Sequence, residues 1–221
     1  MATRSAGSPR ILLLLGGTWH DFDGFGRAFA GWFPDAEITC DLASLDALEG
    51  YDVVAMFTCL TPENEDGSPA DQVFTDRHAT PLAQWVVRGG GLLALHGATV
   101  SALTSPALER LVGGAFVSHP PASDSDETVF PFTVHPMSGE HPISCGVDAF
   151  PVRDEFYVER HGSDIAVHMV AIDRGVAHPI VWTRTEGKGR VARFTLGHDA
   201  RAWSLPAYER IVAQAVAWLS E

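Results

Sequence analysis

Short apolar runs recur along the first half of the chain, and stretches with helical spacing separate them. Residues 11–15, 51–57 and 92–95 are apolar almost throughout, as strands are when both faces of a parallel sheet are covered. Between these runs, residues 25–33 and 82–86 place large apolar side chains at helical spacing. The alternation of the two patterns predicts βαβ units around a parallel sheet.

The second half of the chain has shorter runs of β-like residues. The runs are residues 128–134, 150–158, 167–172, 180–184 and 190–196. Glu186-Gly187-Lys188-Gly189 separates the last two runs and predicts a hairpin. We therefore expect partly antiparallel strands to be added to the parallel sheet.

Proline residues mark two predicted helix starts. Thr80-Pro81 predicts a cap followed by proline at the first helical position. Ser204 and Pro206 predict a similar start for the last helix. Since no linker long enough to divide the chain occurs, we predict one domain over residues 10–221 behind a loose leader, residues 1–9.

The segment Gly89-Gly90-Gly91 leads into the central apolar run, which ends at His96-Gly97, and leucines at helical spacing follow. Strand, sharp turn and helix in this order place His96 at the carboxyl end of a central strand, where open α/β sheets keep their ligand crevice. A nucleophile elbow has the same geometry, but here its residue is an imidazole. The alternative is a histidine that only ends a core strand.

Two further histidines, His20 and His198, also follow predicted strands. Because the carboxyl ends of parallel strands meet at one edge of a sheet, we expect them to converge with His96. Asp154-Glu155 and His119 end segments that can reach the same place. Such a set suits general acid–base chemistry, with a carboxylate that steers the imidazole tautomer, or a divalent metal ion. No HxxxH or HExxH spacing occurs, so the metal site rests on convergence alone.

Other catalytic motifs receive little support. Cys59 ends an apolar run and is expected to pack in the core, while Cys40 and Cys145 have no histidine at a suitable offset. The sequence contains no GxSxG, no P-loop and no GxGxxG after a strand. A nucleotide cofactor is therefore not expected.

Acidic side chains outnumber basic ones, 28 to 15, and the net charge is −13 at pH 7. This charge repels phosphate backbones and anionic lipid, so we expect neither a nucleic-acid nor a membrane partner. Three widely spaced cysteines suit a reducing compartment. The first apolar run is too short for a signal peptide, and no run approaches the roughly 20 residues of a membrane span. We expect a cytoplasmic protein.

Several motifs together resemble one known family. They are GGGLLALH (residues 89–96), LVGGAF with His119-Pro120 (111–120), HPI (141–143), DEFY (154–157), and GKGRV leading to LGHD (187–199). In this order they resemble the trehalose-utilisation (ThuA-like) family from the first strand to the last helix. The resemblance implies a flavodoxin-like fold of the class I glutamine amidotransferase-like superfamily, an α/β three-layer open sheet, mostly parallel, with antiparallel strands added in the second half. Amidotransferases of that superfamily carry a cysteine nucleophile where this chain has His96, so glutamine hydrolysis is not expected.

The resemblance also implies a role in the metabolism of disaccharides or their keto forms. We predict an enzyme that acts on such a small-molecule sugar by acid–base or metal-assisted chemistry. The predicted residues are His96, Glu155 and His198 for catalysis and His20, Asp21, His119 and Asp199 for substrate binding; a divalent metal (Zn or Mn), where one is bound, would be held by His96, His119, Glu155 and His198. No other cofactor is indicated.

Two alternatives to this enzyme stay open. One is a non-catalytic sugar-binding domain, since many functions share this architecture. The other, less favoured, is an amidase that uses Cys59. Trp19, Trp203 and Phe130 are expected to be exposed, and they are candidates for a sugar platform or for a contact between copies in a homo-oligomer.

Overall fold

A nine-stranded sheet runs through the centre of the molecule. The computed structural model describes residues 7–137 and 140–221. Its strands are β1 (Ile11–Gly17), β2 (Glu37–Thr39), β3 (Val53–Cys59), β4 (Gly91–Leu95), β5 (Gly114–Ser118), β6 (Val129–Pro136), β7 (Phe150–Glu155), β8 (Val158–His161), β9 (Ala166–Asp173), β10 (Val176–Glu186) and β11 (Gly189–Phe194). Its helices are α1 (Phe22–Trp32), α2 (Asp76–Val87), α3 (Ala98–Ser101), α4 (Pro106–Val112), α5 (Ala200–Trp203) and α6 (Pro206–Leu219).

The sheet is parallel in one half and antiparallel in the other. Its strand order is β2-β1-β3-β4-β11-β10-β9-β6-β7, while β5 and β8 pair separately. The first five strands in this order are parallel to one another, and the remaining four continue as antiparallel neighbours. The predicted fold class is confirmed, and the carboxyl ends of β1, β3, β4 and β11 lie at one edge of the sheet.

Strand β1 shows why the apolar runs are continuous. Leu13 and Leu15 belong to the core that contains α1 and α6, whereas Leu12 and Leu14 belong to the core that contains α2 and α4. All four side chains are buried, and burying each contributes about 2 kcal/mol. The sheet is therefore covered by helices on both faces in its parallel half.

Helix α2 begins earlier than the sequence pattern predicts. Its N-cap is Thr75, whose backbone N–H donates to Nδ1 of His78 at 3.1 Å. Pro81 consequently lies inside the helix, where it removes one backbone hydrogen bond. The predicted start at Thr80-Pro81 is wrong because histidine here replaces the usual Glu or Gln of a capping box.

Three smaller expectations also change. Leu205, rather than Ser204, precedes the first residue of α6, because Ser204 closes the short helix α5. Trp203 is buried against Phe25, with ring centroids 5.4 Å apart, and Phe130 is half-buried and stacks on Phe156. Both rings therefore belong to the core, and Trp19 stays exposed.

The predicted leader, residues 1–9, lies mostly outside the described residues, which begin at residue 7. In the two described ranges, no helix combines the length and the apolar character needed to cross a bilayer.

Candidate functional site

Four side chains from four different strand ends meet at the carboxyl edge of the sheet. His20 follows β1, His96 follows β4, His198 follows β11, and Glu155 is the last residue of β7. One nitrogen of each imidazole and one carboxylate oxygen all lie within 4.8 Å of one another. We call these four residues the histidine–glutamate cluster.

The turn after β4 holds His96 in an unusual backbone conformation. Its φ is +38°, in the left-handed region that costs a non-glycine residue free energy and that recurs at functional sites. The next residue, Gly97, has no room for a side chain, since a Cβ there would lie 2.6 Å from the carbonyl oxygen of Thr58. The sharp strand-to-helix turn predicted from the glycine pattern thus presents an imidazole at the mouth of the sheet.

Backbone carbonyls fix the orientation of two imidazoles. His96 Nδ1 lies 2.7 Å from the carbonyl oxygen of Thr195, and His20 Nδ1 lies 2.9 Å from that of Thr18. A carbonyl oxygen only accepts, so Nδ1 carries the proton and Nε2 presents a lone pair. Nε2 of His20 and Nε2 of His96 are both buried without a hydrogen bond in the described part of the chain.

Glu155 supplies the negative charge of the cluster. Its Oε2 lies 3.4 Å from His96 Nε2 and 3.2 Å from His198 Nδ1. Burial alone would raise the pKa of Glu155, but its contacts with the His198 and His96 rings hold the pKa well below its usual range. Burial opposes protonation of His198, yet the contact with Glu155 raises its pKa. Burial, reinforced by repulsion from His96, lowers the pKa of His20 to about 3.

Asp154, next to Glu155, anchors the loop that carries His198. Its buried carboxylate accepts hydrogen bonds from the backbone N–H groups of Gly197 at 2.7 Å and His198 at 3.0 Å. Burial raises its pKa, although nearby His96 and these amides oppose the effect. Successive strand residues face opposite ways, so only one of the two acids enters the cluster. The sequence analysis named the pair and predicted Glu155 for catalysis, but it did not predict the anchoring role of Asp154.

His119 lies outside the histidine–glutamate cluster, with the ring of Tyr157 between it and His96. The Tyr157 ring centroid is 4.2 Å from that of His96 and 6.1 Å from that of His119. The predicted metal-binding set contained His119 as its fourth residue, and in the structure His20 lies in that place instead. Nδ1 of His119 is buried without a hydrogen bond to any described residue, and its predicted contact with substrate stays a prediction.

The two aspartates beside the cluster histidines begin helices. Asp21 accepts from the backbone N–H of Gly24 at 2.8 Å at the start of α1. Asp199 accepts from the backbone N–H of Arg201 at 2.8 Å at the start of α5. These caps fix where the chain turns after each histidine. Their predicted role in substrate binding stays a prediction.

Cys59 is poorly suited to act as a nucleophile. It is 3% exposed, and burial, with a smaller effect of Glu155, raises the pKa of its thiol to about 12. Since the thiolate is the reactive form, this environment suppresses the chemistry that an amidase would need.

A buried ion pair beneath the elbow was not predicted. Arg193 of β11 pairs with Glu159 of β8, and both side chains are almost completely buried. Thr99, just after the elbow, donates to Glu159 Oε1 at 2.6 Å and lies 2.6 Å from the Arg193 guanidinium. This network ties the two-stranded sheet to the elbow. From the sequence alone, a buried arginine in a strand cannot be distinguished from an exposed one.

The donor set of the cluster fits a divalent metal ion. Three imidazole nitrogens and a carboxylate oxygen are ligands that zinc and manganese accept. The lone pairs of imidazole nitrogens that face the Glu155 carboxylate repel it, and a cation bound between the rings and the carboxylate removes this repulsion. The hydrogen bonds from Nδ1 to backbone carbonyls are the outer contacts that usually orient histidine ligands.

The family model described as trehalose utilisation (ThuA) matches residues 28–219 of the chain. No curated protein matches at a significant level.

Solved structures share the fold at low identity. A ThuA-like protein from Bacteroides uniformis is 18% identical, with a TM-score of 0.69, over 99% of this chain and 95% of that chain. A ThuA-like protein from Parabacteroides merdae is 16% identical, with a TM-score of 0.75, over 96% and 90%. A cytoplasmic protein from Salmonella typhimurium is 14% identical, with a TM-score of 0.64, over 96% and 100%. With the match to the family model, the fold and the ordered motifs lead to one conclusion: the chain belongs to the trehalose-utilisation (ThuA) family.

Proposed function

We propose that this protein is an enzyme of carbohydrate metabolism that acts on a disaccharide or a keto-sugar at the histidine–glutamate cluster, with a bound zinc or manganese ion. Family membership supports the substrate class. The observation that carries the proposal is the set of three imidazole nitrogens, on His20, His96 and His198, that are buried beside one carboxylate without a well-formed hydrogen bond.

Buried polar atoms without a partner are rare in folded proteins and need an explanation. Protonating all three rings would place several positive charges within a few ångströms, and the lowered pKa of His20 opposes this. A single divalent cation satisfies all the lone pairs and the carboxylate at once. The arrangement is therefore better explained by a ligand than by packing.

The chain's own residues would prepare such a site. His20, His96, Glu155 and His198 would hold the metal, which would act as a Lewis acid on a sugar carbonyl or hydroxyl oxygen. The Tyr157 ring, 4.2 Å from the His96 ring, covers that imidazole and limits the access of water.

A metal-free variant of the mechanism uses the same residues as an acid–base pair. The raised pKa of His198 and the lowered pKa of Glu155 favour a proton held at His198 Nδ1. Such a pair suits an isomerisation beside a carbonyl, in which a proton leaves one carbon of the sugar and returns to another atom. It also suits an elimination, in which the proton passes from carbon to the leaving oxygen, or a hydrolysis, in which water supplies the new hydroxyl group and the proton for the leaving oxygen.

Metal content is the direct test. Protein purified without a histidine tag should contain close to one zinc or manganese ion per chain by elemental mass spectrometry, and His96→Ala should lose it. His135→Ala is the matched control, because His135 is an exposed histidine outside the cluster. Turnover of 3-keto-trehalose should fall with the metal and return when the metal is added back.

Two results would contradict the proposal. Equal metal content in His96→Ala and His135→Ala would remove the metal from the cluster. Normal turnover by a His96→Ala, His198→Ala double variant would remove the catalytic role. Sugar binding without any product on long incubation would favour the non-catalytic sugar-binding domain.

A cytoplasmic location belongs to the same proposal. Its support is the Salmonella typhimurium protein of the same fold that is described as cytoplasmic.

A further inference from the structure

We infer that a cavity beside the histidine–glutamate cluster binds the non-reacting hexose of an unphosphorylated disaccharide. The inference rests on the proposed function and adds a subsite to it. The cavity measures about 240 Å³, and the residues that line it include Gly17, Thr18, Cys59, Asn64, Asp71 and Gln72. We call it the switch-point cavity.

The fold places this cavity where ligands bind in open α/β sheets. β1 lies between β2 and β3, so the chain leaves the carboxyl ends of β1 and β3 in opposite directions and opens a crevice. Gly17 ends β1 with φ +117°, and a Cβ there would lie 2.1 Å from the carbonyl oxygen of Cys59. Only glycine lets the two strand ends approach this closely.

The switch-point cavity and the histidine–glutamate cluster share a wall. Thr18 lines the cavity, and its carbonyl oxygen orients His20. Cys59 also lines it, and a Cβ at Gly97 would lie 3.1 Å from Cys59 Cβ and 3.4 Å from His20 Cε1. The cavity and the cluster therefore lie side by side, as a disaccharide with one ring at each would require.

The lining matches the hydroxyl groups of a neutral sugar. Asp71 and Gln72 are exposed, and neither makes a hydrogen bond to another described residue, while the hydroxyl oxygen of Thr18 is buried without a partner in the described ranges. These side chains offer hydrogen-bond donors and acceptors to sugar hydroxyl groups. No Lys, Arg or His is among the described residues that line the cavity, so a phosphate would meet the Asp71 carboxylate without a counter-charge.

The size of the switch-point cavity favours a single sugar ring. Liquid water occupies about 30 Å³ per molecule, so a cavity of about 240 Å³ has room for roughly eight waters, which is close to one hexose.

Trp19 offers an exposed aromatic surface next to Thr18, which lines the cavity. It directly follows Thr18, its side chain is exposed, and its φ is +67°. Its backbone N–H donates to Glu65 Oε1 at 3.1 Å, so the loop that carries Asn64 holds it in this conformation. A left-handed backbone is strained for tryptophan, and the exposed indole offers an aromatic face on which a sugar ring can stack.

The test is calorimetric binding of trehalose, glucose and trehalose 6-phosphate. The variant is Asp71→Ala, Gln72→Ala, and the control is Glu63→Ala, which removes an exposed charge from the same loop. We expect the double variant to bind trehalose about tenfold or more weakly, because two hydrogen-bonding groups are lost. Glucose binding should weaken as well, because a single hexose fits the cavity, whereas metal content should not change. Wild-type protein should bind trehalose 6-phosphate at least tenfold more weakly than trehalose.

The outcomes separate this inference from the proposed function. The subsite is supported if His96→Ala still binds trehalose and the Asp71→Ala, Gln72→Ala variant does not. This result supports the subsite even if no sugar is turned over. Equal trehalose binding by the double variant and by Glu63→Ala overturns it. Tight binding of the phosphorylated sugar, or the absence of trehalose binding by wild-type protein, also overturns it.

Discussion

At the scale of single residues, the orientation of the site's side chains depends on backbone groups. The backbone carbonyls of Thr18 and Thr195 determine which nitrogen of His20 and of His96 is free. Asp154 likewise acts on the His198 loop through backbone N–H groups. Every residue has a backbone carbonyl, whatever its side chain. A sequence motif therefore cannot mark these contacts.

Asp154→Ala should destabilise the protein by about 3 kcal/mol, because it leaves buried N–H groups of Gly197 and His198 without an acceptor. Asp154→Asn should cost less, since its amide oxygen still accepts. Urea unfolding measures both. Asp148→Ala, at an exposed position, is the control, and an Asp154→Ala protein as stable as this control would contradict the prediction.

The three cysteines should differ in reactivity. Cys40 and Cys145 are exposed, whereas burial raises the pKa of Cys59 to about 12. Brief treatment of native protein with iodoacetamide at pH 8 should therefore modify two cysteines, as counted by mass spectrometry. Rapid modification of Cys59 would show that its thiol is more accessible or more acidic than the structure indicates, and denatured protein should react at all three.

At the scale of elements, the buried pair Arg193–Glu159 links three parts of the fold. It joins β11, β8 and, through Thr99, the helix after the elbow. A buried charge that loses its partner is costly, whereas replacing both partners by apolar groups costs less.

Glu159→Gln should destabilise the protein by about 3–5 kcal/mol, because the Arg193 charge is then buried without its counter-charge. The double variant Arg193→Met, Glu159→Leu should be less destabilised than the sum of the effects of Arg193→Met and of Glu159→Leu made singly. A double-mutant cycle with urea unfolding measures the difference. Additive effects would mean that the two charges are not coupled.

At the scale of the whole molecule, acid should weaken the fold through buried neutral histidines. His168 is 7% exposed, its Nε2 lies 2.7 Å from Thr183 Oγ1, and its ring stacks on His141. Burial, with a smaller effect of His141, lowers its pKa from 6.5 to about 4. The unfolded chain therefore binds this proton first, and the contribution to stability is present above pH 6.5 and lost as the pH falls towards 4.

A comparison of wild type with His168→Gln isolates this contribution. Between pH 7.5 and 4.5, the unfolding free energy of the wild type should fall more than that of the variant. Equal falls would mean that His168 does not titrate differently in the folded and unfolded states. His135→Gln, an exposed histidine, should behave like the wild type.

The sequence by itself determined the alternation of strands and helices, the parallel first half and the turn at His96. These follow from local signals: continuous apolar runs where both sheet faces are covered, and glycine where backbones approach closely. The pattern failed at α2, where His78 completes a cap that the usual rule assigns to Glu or Gln.

Only the tertiary structure decided which residues share the site. His20 rather than His119 joins His96, Glu155 and His198, because the Tyr157 ring lies between His119 and His96. The anchoring role of Asp154 and the switch-point cavity were decided in the same way. Distances between residues far apart in sequence depend on how strands and loops pack in three dimensions, and no local periodicity contains that information.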